Sequence, residues 1–220
     1  NIEGRIIRNL QKQFNFLNSE SLLKIVVTTK TLKSYYKNIL NVNKNKIQVL
    51  HNASSLRNYF KNGKTKKSYN IGYFGSIFSS RGLNMIINIS KLDNKNKYFI
   101  YGGDKEKIKL LRKKIFNKNL IINEYVPYKE IYQKLKKIDI CILPYTKKIT
   151  VSGDVGNILN YTSPLKIFDY MSNGKLIISS NIKVLKEVLI DKKNCLLVKK
   201  FTKISSWMKI ILKVTSNYKM

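Results

Sequence analysis

The chain has one histidine (His51), two cysteines, three prolines, one tryptophan and only 12 acidic residues in 220. Each shortage excludes a class of protein. Cys141 sits inside an apolar run and Cys195 opens another, neither at metal-ligand spacing nor beside a paired His. Free buried thiols are therefore expected, with no disulfide framework and no zinc site. Long apolar runs are also missing. Ile140 to Leu143 and Leu176 to Ile178 are strand-sized, far from the roughly 20 residues of a membrane-spanning helix. Residue 1 is Asn with no basic-then-apolar leader behind it, so the start reads as an internal cut and the chain as a piece of a longer one.

Acid is scarce and base is plentiful, 43 Lys and Arg giving a net charge of +31. A strongly basic domain collects polyanions, yet the pattern argues against nucleic acid as a partner. Lysines outnumber arginines 38 to 5, whereas bidentate recognition of phosphate or guanine favours Arg. The lysines are spread over nearly every segment, without a zinc, helix-turn-helix or RNP-type motif. Two readings stay open: a coding sequence biased toward Lys, Asn and Ile codons, and an anionic membrane surface.

An apolar content of 43% is enough for an ordinary core. Residues 1 to 51 supply a helix (Arg5 to Leu17), a strand (Ile25 to Thr28), a helix through Tyr36 and a strand (Ile47 to Leu50). These are too few to close a core, and read as the remnant of a preceding domain. Residues 52 to 68 are polar and Lys-rich and read as a hinge. Across 69 to 200 short apolar runs alternate with amphipathic stretches: strands at 71–74, 98–101, 120–122, 140–143, 176–180 and 195–198, with helices at Gly82 to Leu92, Lys105 to Phe116 and Lys129 to Lys136, one after Ser163, and a short one before the last strand. That alternation predicts an α/β fold, a doubly wound, Rossmann-like and mostly parallel sheet of about six strands. Residues 201 to 220 add a terminal helix with Trp207, Ile211 and Val214 on one face.

In such a sheet ligands bind beyond the carboxyl ends of the strands. Gly75 and Ser76, Gly102 to Asp104, Pro144 and the Ser163 turn occupy those ends. The stretch SPLKIFDYMSNGK (163 to 175) sets Pro164 as a first-turn residue ahead of a helix. The free N–H groups of Ser163, Leu165 and Lys166 suit an anion, and Asp169 suits a polyol. Phe168 and Met171 are expected to pack inward.

Several segments, in order, resemble the carboxyl-terminal half of the GT-B glycosyltransferases of retaining family 4, the group 1 transferases. IGYFGSIFSSRGLNMII (71 to 87) is similar to the first donor-domain strand and its glycine loop, and YFIYGGD to the second strand. VPYKEIYQKLKKIDICILPY is similar to the following helix and strand, SPLKIFDYMSNGKLIISS to the nucleotide-binding helix, and KIQVLHNAS (46 to 54) to the entry to the hinge. The resemblance implies a glycosyltransferase of hexosyltransferase type that moves a sugar from a nucleotide-diphosphate donor to a hydroxyl of a glycan or lipid-linked acceptor, with retention, in cell-surface glycan synthesis. It implies a cytoplasmic protein, peripheral on the inner membrane face, with no metal and no cofactor, and a piece that is inactive alone.

The resemblance also assigns roles. Arg81 falls where the family places a catalytic Lys against the diphosphate, with Gly75 and Ser76 in the same loop. Ser76 stands where many relatives carry a second Arg. Val126 falls where relatives hold the base by main-chain contacts. Ser163, Leu165 and Lys166 face the β-phosphate, and Asp169 matches the carboxylate that accepts ribose hydroxyls. Tyr161 stands where the family has a sugar-reading Glu, so Asp154 is a candidate for that task. His51, Asp139 and Glu187 are read as structural or solvated. A non-catalytic nucleotide or sugar-phosphate binding module and a basic polyanion-binding protein remain as alternatives.

Overall fold

The computed structural model describes residues 11–55, 66–150 and 156–216. Residues 5–10 of the expected first helix, Asp154 and the centre of the expected hinge lie outside them. The chain divides into two compact units: residues 1–52 with 160–163, and residues 53–159 with 164–220.

In the first unit, helical residues 11–18 (α1) precede β1 (Ile25–Val27), α2 (Lys30–Asn38) and β2 (Ile47–Val49). β1 and β2 pair in parallel, Ile25 opposite Ile47. Thr29 begins α2 because its side chain accepts from the Leu32 N–H at 3.0 Å, satisfying one of the free donors of the first turn. Val27, Val42 and Ile47 are the fully buried side chains of this unit's core.

The second unit is built on β3 (Asn70–Phe74), β4 (Lys97–Tyr101), β5 (Leu120–Asn123), β6 (Ile140–Leu143), β7 (Leu176–Ser180) and β8 (Leu196–Val198). Their order across the sheet is β5-β4-β3-β6-β7-β8, and every pairing is parallel. The chain starts in the middle at β3, winds outward to β5, returns beside β3 as β6 and winds out the other way. That is the doubly wound order, with its reversal between β3 and β6. The expected six-stranded Rossmann-like sheet is present.

Both faces of the sheet are buried, which is why its strands read as near-continuous apolar runs. On one face Ile71, Tyr73, Tyr98, Ile100, Ile140, Ile142 and Ile178 meet α3 (Leu83–Leu92), Ile108 of α4 (Lys105–Lys114), and Trp207, Ile211 and Val214 of α7 (Ile204–Ser216). On the other, Phe74, Cys141, Leu143 and Ile177 meet Leu135 of α5 (Tyr128–Leu135) and Ile167 and Tyr170 of α6 (Leu165–Ser172). Neighbours along a strand fall on opposite faces, as the period of two requires. Cys141 and Cys195 are free and buried, and burial pushes both thiols up, Cys195 to about 11.

The structure moves some expected boundaries. α3 starts at Leu83, because Gly82 is left-handed (φ 85°) and caps the 3-10 turn Ser79–Arg81 before it. A Cβ at Gly82 would strike the Pro144 carbonyl, so glycine lets this loop close onto the end of β6. α4 stops at Lys114, and the short helix before the last strand is a 3-10 turn, Val184–Glu187. Among the described residues no helix is long and apolar enough to cross a membrane.

Candidate functional site

The carboxyl ends of β3 and β4, the loop before α5 and the first turns of α6 enclose a cleft of about 290 Å³ in the second unit. Phe74, Gly75, Ser76, Tyr101, Gly102, Gly103, Tyr125, Val126, Tyr128, Leu165, Lys166, Asp169 and Tyr170 line it together with Ile131. Six of the eight residues singled out from the sequence meet here: Gly75, Ser76, Val126, Leu165, Lys166 and Asp169. A larger cleft of about 530 Å³ lies toward α3, lined by Ser79, Asn84, Asn88, Thr146 and Lys148 among others, and holds none of the eight.

Helix α6 is tied to the central strand β3 through a backbone group of that strand. The Phe74 N–H, last in β3, donates to the Tyr170 hydroxyl at 3.0 Å. Ile167 and Tyr170 form the buried face, and Asp169 shares it at 6% exposure; Phe168, expected inside, packs half-buried against the same core, while Met171, also expected inside, is 37% exposed. From that face Asp169 lines the cleft. Its Oδ1 accepts from the Ser54 hydroxyl at 2.7 Å and from the Tyr128 hydroxyl at 3.0 Å. The Ser55 hydroxyl lies 3.2 Å from that of Tyr128. A carboxylate offers about four lone-pair sites and these bonds use two, so it retains capacity for a polyol.

Gly75 has φ 137°, and its N–H donates to the Tyr101 carbonyl at 2.8 Å, holding the loop against β4. A Cβ there would fall on the Lys166 ammonium, which fills the space above the glycine. Lys166 Nζ donates to the Tyr73 hydroxyl at 3.3 Å, and that hydroxyl donates to the Ser76 carbonyl at 2.9 Å. The same ammonium stands 4.3 Å from the centre of the Tyr73 ring and 5.7 Å from that of Tyr145.

Arg81 is not in the cleft wall. Its guanidinium carbon lies 5.4 Å from the centre of the Tyr145 ring, so Arg81 and Lys166 share that ring. Arg81 Nη2 donates to the Thr150 carbonyl at 3.3 Å. Among the described residues neither cation pairs with a carboxylate. Burial first and the Arg81 charge second push the Lys166 ammonium down to about 7. Burial also raises Tyr73 well above the usual phenol range and Tyr145 to about 12, so both rings are neutral.

The other expected residues lie elsewhere. Ser163 belongs to the first unit, where Asn52 Nδ2 donates to its carbonyl at 3.1 Å and its hydroxyl at 2.8 Å. Tyr161 packs edge-on to Tyr35 at 5.1 Å, also within the first unit. His51 Nδ1 donates to the Thr28 carbonyl at 2.9 Å. Asp139 accepts from Lys66 Nζ at 2.5 Å and from the Asn70 N–H at 2.9 Å. Sequence reading missed the Ser54 and Tyr128 hydroxyls on Asp169 and the inward turn of the Lys166 side chain. Tyr128 had a local signal, the VPY turn that opens α5, but Ser54 meets Asp169 across 115 residues of sequence.

The strand order, the glycine loop at its reversal and the carboxylate on the facing helix define a doubly wound α/β domain of the Rossmann-like class. Residues 54–220 match the family model described as glycosyl transferases group 1, and the chain belongs to that family. No curated protein matches the chain by sequence. Among solved structures it is similar to TarM of S. aureus, with 20% identity and a TM-score of 0.69 over 94% of this chain and 39% of that one. It is similar to sucrose-phosphate synthase from Thermosynechococcus elongatus, with 12% identity and a TM-score of 0.69 over 94% and 52%. Anabaena HepE in complex with UDP-glucose aligns at 12% identity and a TM-score of 0.62 over 87% and 54%. The chain thus spans between 39% and 54% of the length of these structures, and at such identities the likeness establishes the fold, a Rossmann-like half of GT-B.

Proposed function

We propose that this chain is the donor-binding part of a retaining, family 4 glycosyltransferase that moves a hexosyl group from a nucleotide-diphosphate sugar to a hydroxyl of a glycan or lipid-linked acceptor, in cell-surface glycan synthesis. The observation that carries this reading is the cleft itself. At the reversal point of a parallel sheet it sets a buried, hydroxyl-held carboxylate, Asp169, against a glycine loop backed by cations that face no carboxylate among the described residues. A diphosphate needs the cations, a ribose needs the carboxylate, and a nucleotide sugar carries both.

In this reading Arg81 stabilises the charge that grows on the diphosphate as the sugar departs, helped by the free N–H groups at the start of α6. Gly75 and Ser76 form the loop that meets the phosphates, and Val126 holds the base by its main chain. Residues 1–51 are the remnant of the acceptor-side domain, 52–68 the hinge, 69–200 the donor domain and 201–220 a terminal helix. The chain alone binds donor weakly and transfers little. HepE has been solved with UDP-glucose and TarM with UDP, which supports uridine donors as the first to try.

A thermal-shift panel of nucleotide sugars on the complete protein tests the reading, because a ligand that binds only the native state raises the midpoint. A rise with one donor, abolished by Asp169→Ala, supports it. A panel without any rise would sink it.

A further inference from the structure

Ser76 poses a problem for the donor site. The loop after β3 offers a short hydroxyl where a second cation would face a diphosphate, and Arg81 alone stands behind the cleft. The structure places another cation in that space from a different element. Lys166 is the second residue of α6, and its side chain folds back over Gly75, so the ammonium sits 2.1 Å from where a Cβ at residue 75 would be. Through the Tyr73 hydroxyl it is linked to the Ser76 carbonyl. It lies beside the loop position that lacks a cation.

We propose that Lys166 is the second cation of the diphosphate seat, reaching it from α6, and that diphosphate binding there takes up a proton. The proposal rests on the donor-site reading above. Among the described residues the groups facing the ammonium are Tyr73 of β3, Tyr145 after β6 and Arg81 of the 3-10 turn. Both phenols are neutral, and Arg81 carries the same charge as the ammonium. Asp169, on the same helix, is bonded to Ser54 and Tyr128. Burial, with the Arg81 charge beside it, disfavours the charged form of Lys166 and pushes its ammonium down to about 7. An arriving diphosphate favours the charged form, so each binding event draws a proton from solvent. A packing role explains the cation–π contacts but not the proton. A methionine would fill the same space over the tyrosine rings without placing a second charge beside Arg81.

The test is isothermal titration of the chain with UDP, GDP and ADP as probes at pH 7.5, 8.2 and 9.0, where these nucleotides have already lost their last phosphate proton. At each pH two buffers of different ionisation enthalpy are compared. The wild-type chain is expected to bind one probe with uptake of a large fraction of a proton, its affinity falling by several-fold per pH unit. Lys166→Met weakens binding roughly ten- to hundredfold at pH 7.5 and abolishes the uptake. Lys166→Arg keeps affinity within a few-fold and also abolishes the uptake, because guanidinium does not titrate in this range. Melting of each variant at or above the wild-type midpoint shows that it is folded. Uptake that persists in Lys166→Met, or wild-type binding without uptake, overturns the Lys166 assignment while the donor site stands, provided Arg81→Ala and Asp169→Ala still weaken binding. If no probe binds, or those two variants bind like wild type, the donor-site reading falls and this inference with it.

Discussion

At the amino edge of the sheet, Asp93 ends α3 with its charge fully engaged: Oδ2 accepts from the Tyr98 hydroxyl at 2.6 Å and Asn96 Nδ2 at 2.8 Å, and Oδ1 from the N–H groups of Lys95 and Asn96. At the carboxyl edge, Arg81 and Lys166 share a tyrosine ring and face no carboxylate among the described residues. The first arrangement satisfies a buried anion with fixed donors, as stability requires. The second leaves two like charges together, which costs stability unless something else supplies the anion. Asp93, Asn96 and Tyr98 are buried while Arg81 and Lys166 are half-buried, and the electrostatics of the two edges are opposite. The unsatisfied edge is therefore the one that reads as a binding site.

The sharpest way to break the comparison is to remove the charges of the carboxyl edge from the complete protein. Arg81→Ala and Asp169→Ala are each expected to lower transfer by about 10²- to 10³-fold, the scale of losing one transition-state donor or its positioning partner. Rates within a few-fold of wild type in both would mean that the chemistry lies elsewhere. At the amino edge the effect should fall on folding. Asp93→Ala strands the Tyr98 hydroxyl and the Asn96 amide, a loss of about 3 kcal/mol, while donor affinity stays unchanged. Urea unfolding read beside a binding curve separates the two quantities.

A smaller effect has the opposite sign. The folded-state value of Lys166 is depressed to about 7, below the roughly 10.4 of an exposed lysine. Between those values the unfolded chain binds more protons than the folded one, so stability rises with pH through this window. The penalty is present in full below about pH 7 and fades toward pH 10. Lys166→Met should thus raise the melting temperature by roughly 2–6 °C at pH 6 to 7, after subtracting the lost contacts with Tyr73, and by nothing at pH 10. A gain that is constant across this range would show that packing, not charge, set it.

The same contrast explains what was legible in the sequence. Strands β3 to β8 could be read because each is buried on both faces and bounded by turns, a local pattern. Gly75 and Asp169 could be placed at the cleft because each sits at a fixed offset within one strand-loop-helix segment, whereas Arg81, read in the same way, stands outside the cleft wall. Asp93 could not be read, because an acid just past the end of a helix, after Lys91, looks solvated until Tyr98 and Asn96 fold onto it. The inward turn of Lys166 could not, because among 38 lysines nothing local marks the one that has a glycine and two tyrosines to fold against. Met171 was misread for a related reason: α6 packs with Ile167 and Tyr170 inward, a choice settled by the bond from the Phe74 N–H to the Tyr170 hydroxyl.

The smallest effect tests how Asp169 is held. Its Oδ1 takes two hydroxyls, and Tyr128 is the one that also lines the cleft. If Tyr128 orients the carboxylate, Tyr128→Phe weakens donor binding about two- to fivefold, the net value of one hydrogen bond to a charged acceptor shared with water. If the hydroxyl instead competes with a ribose hydroxyl for Oδ1, its removal strengthens binding. The geometry favours orientation, because Tyr128 and Ser54 converge on the same oxygen and leave Oδ2 without a hydrogen bond from either. Ser54→Ala provides the control. It removes the other donor to Oδ1 without altering the cleft lining, so a weakening of similar size in both variants supports orientation, and tighter binding in Tyr128→Phe alone would refute it.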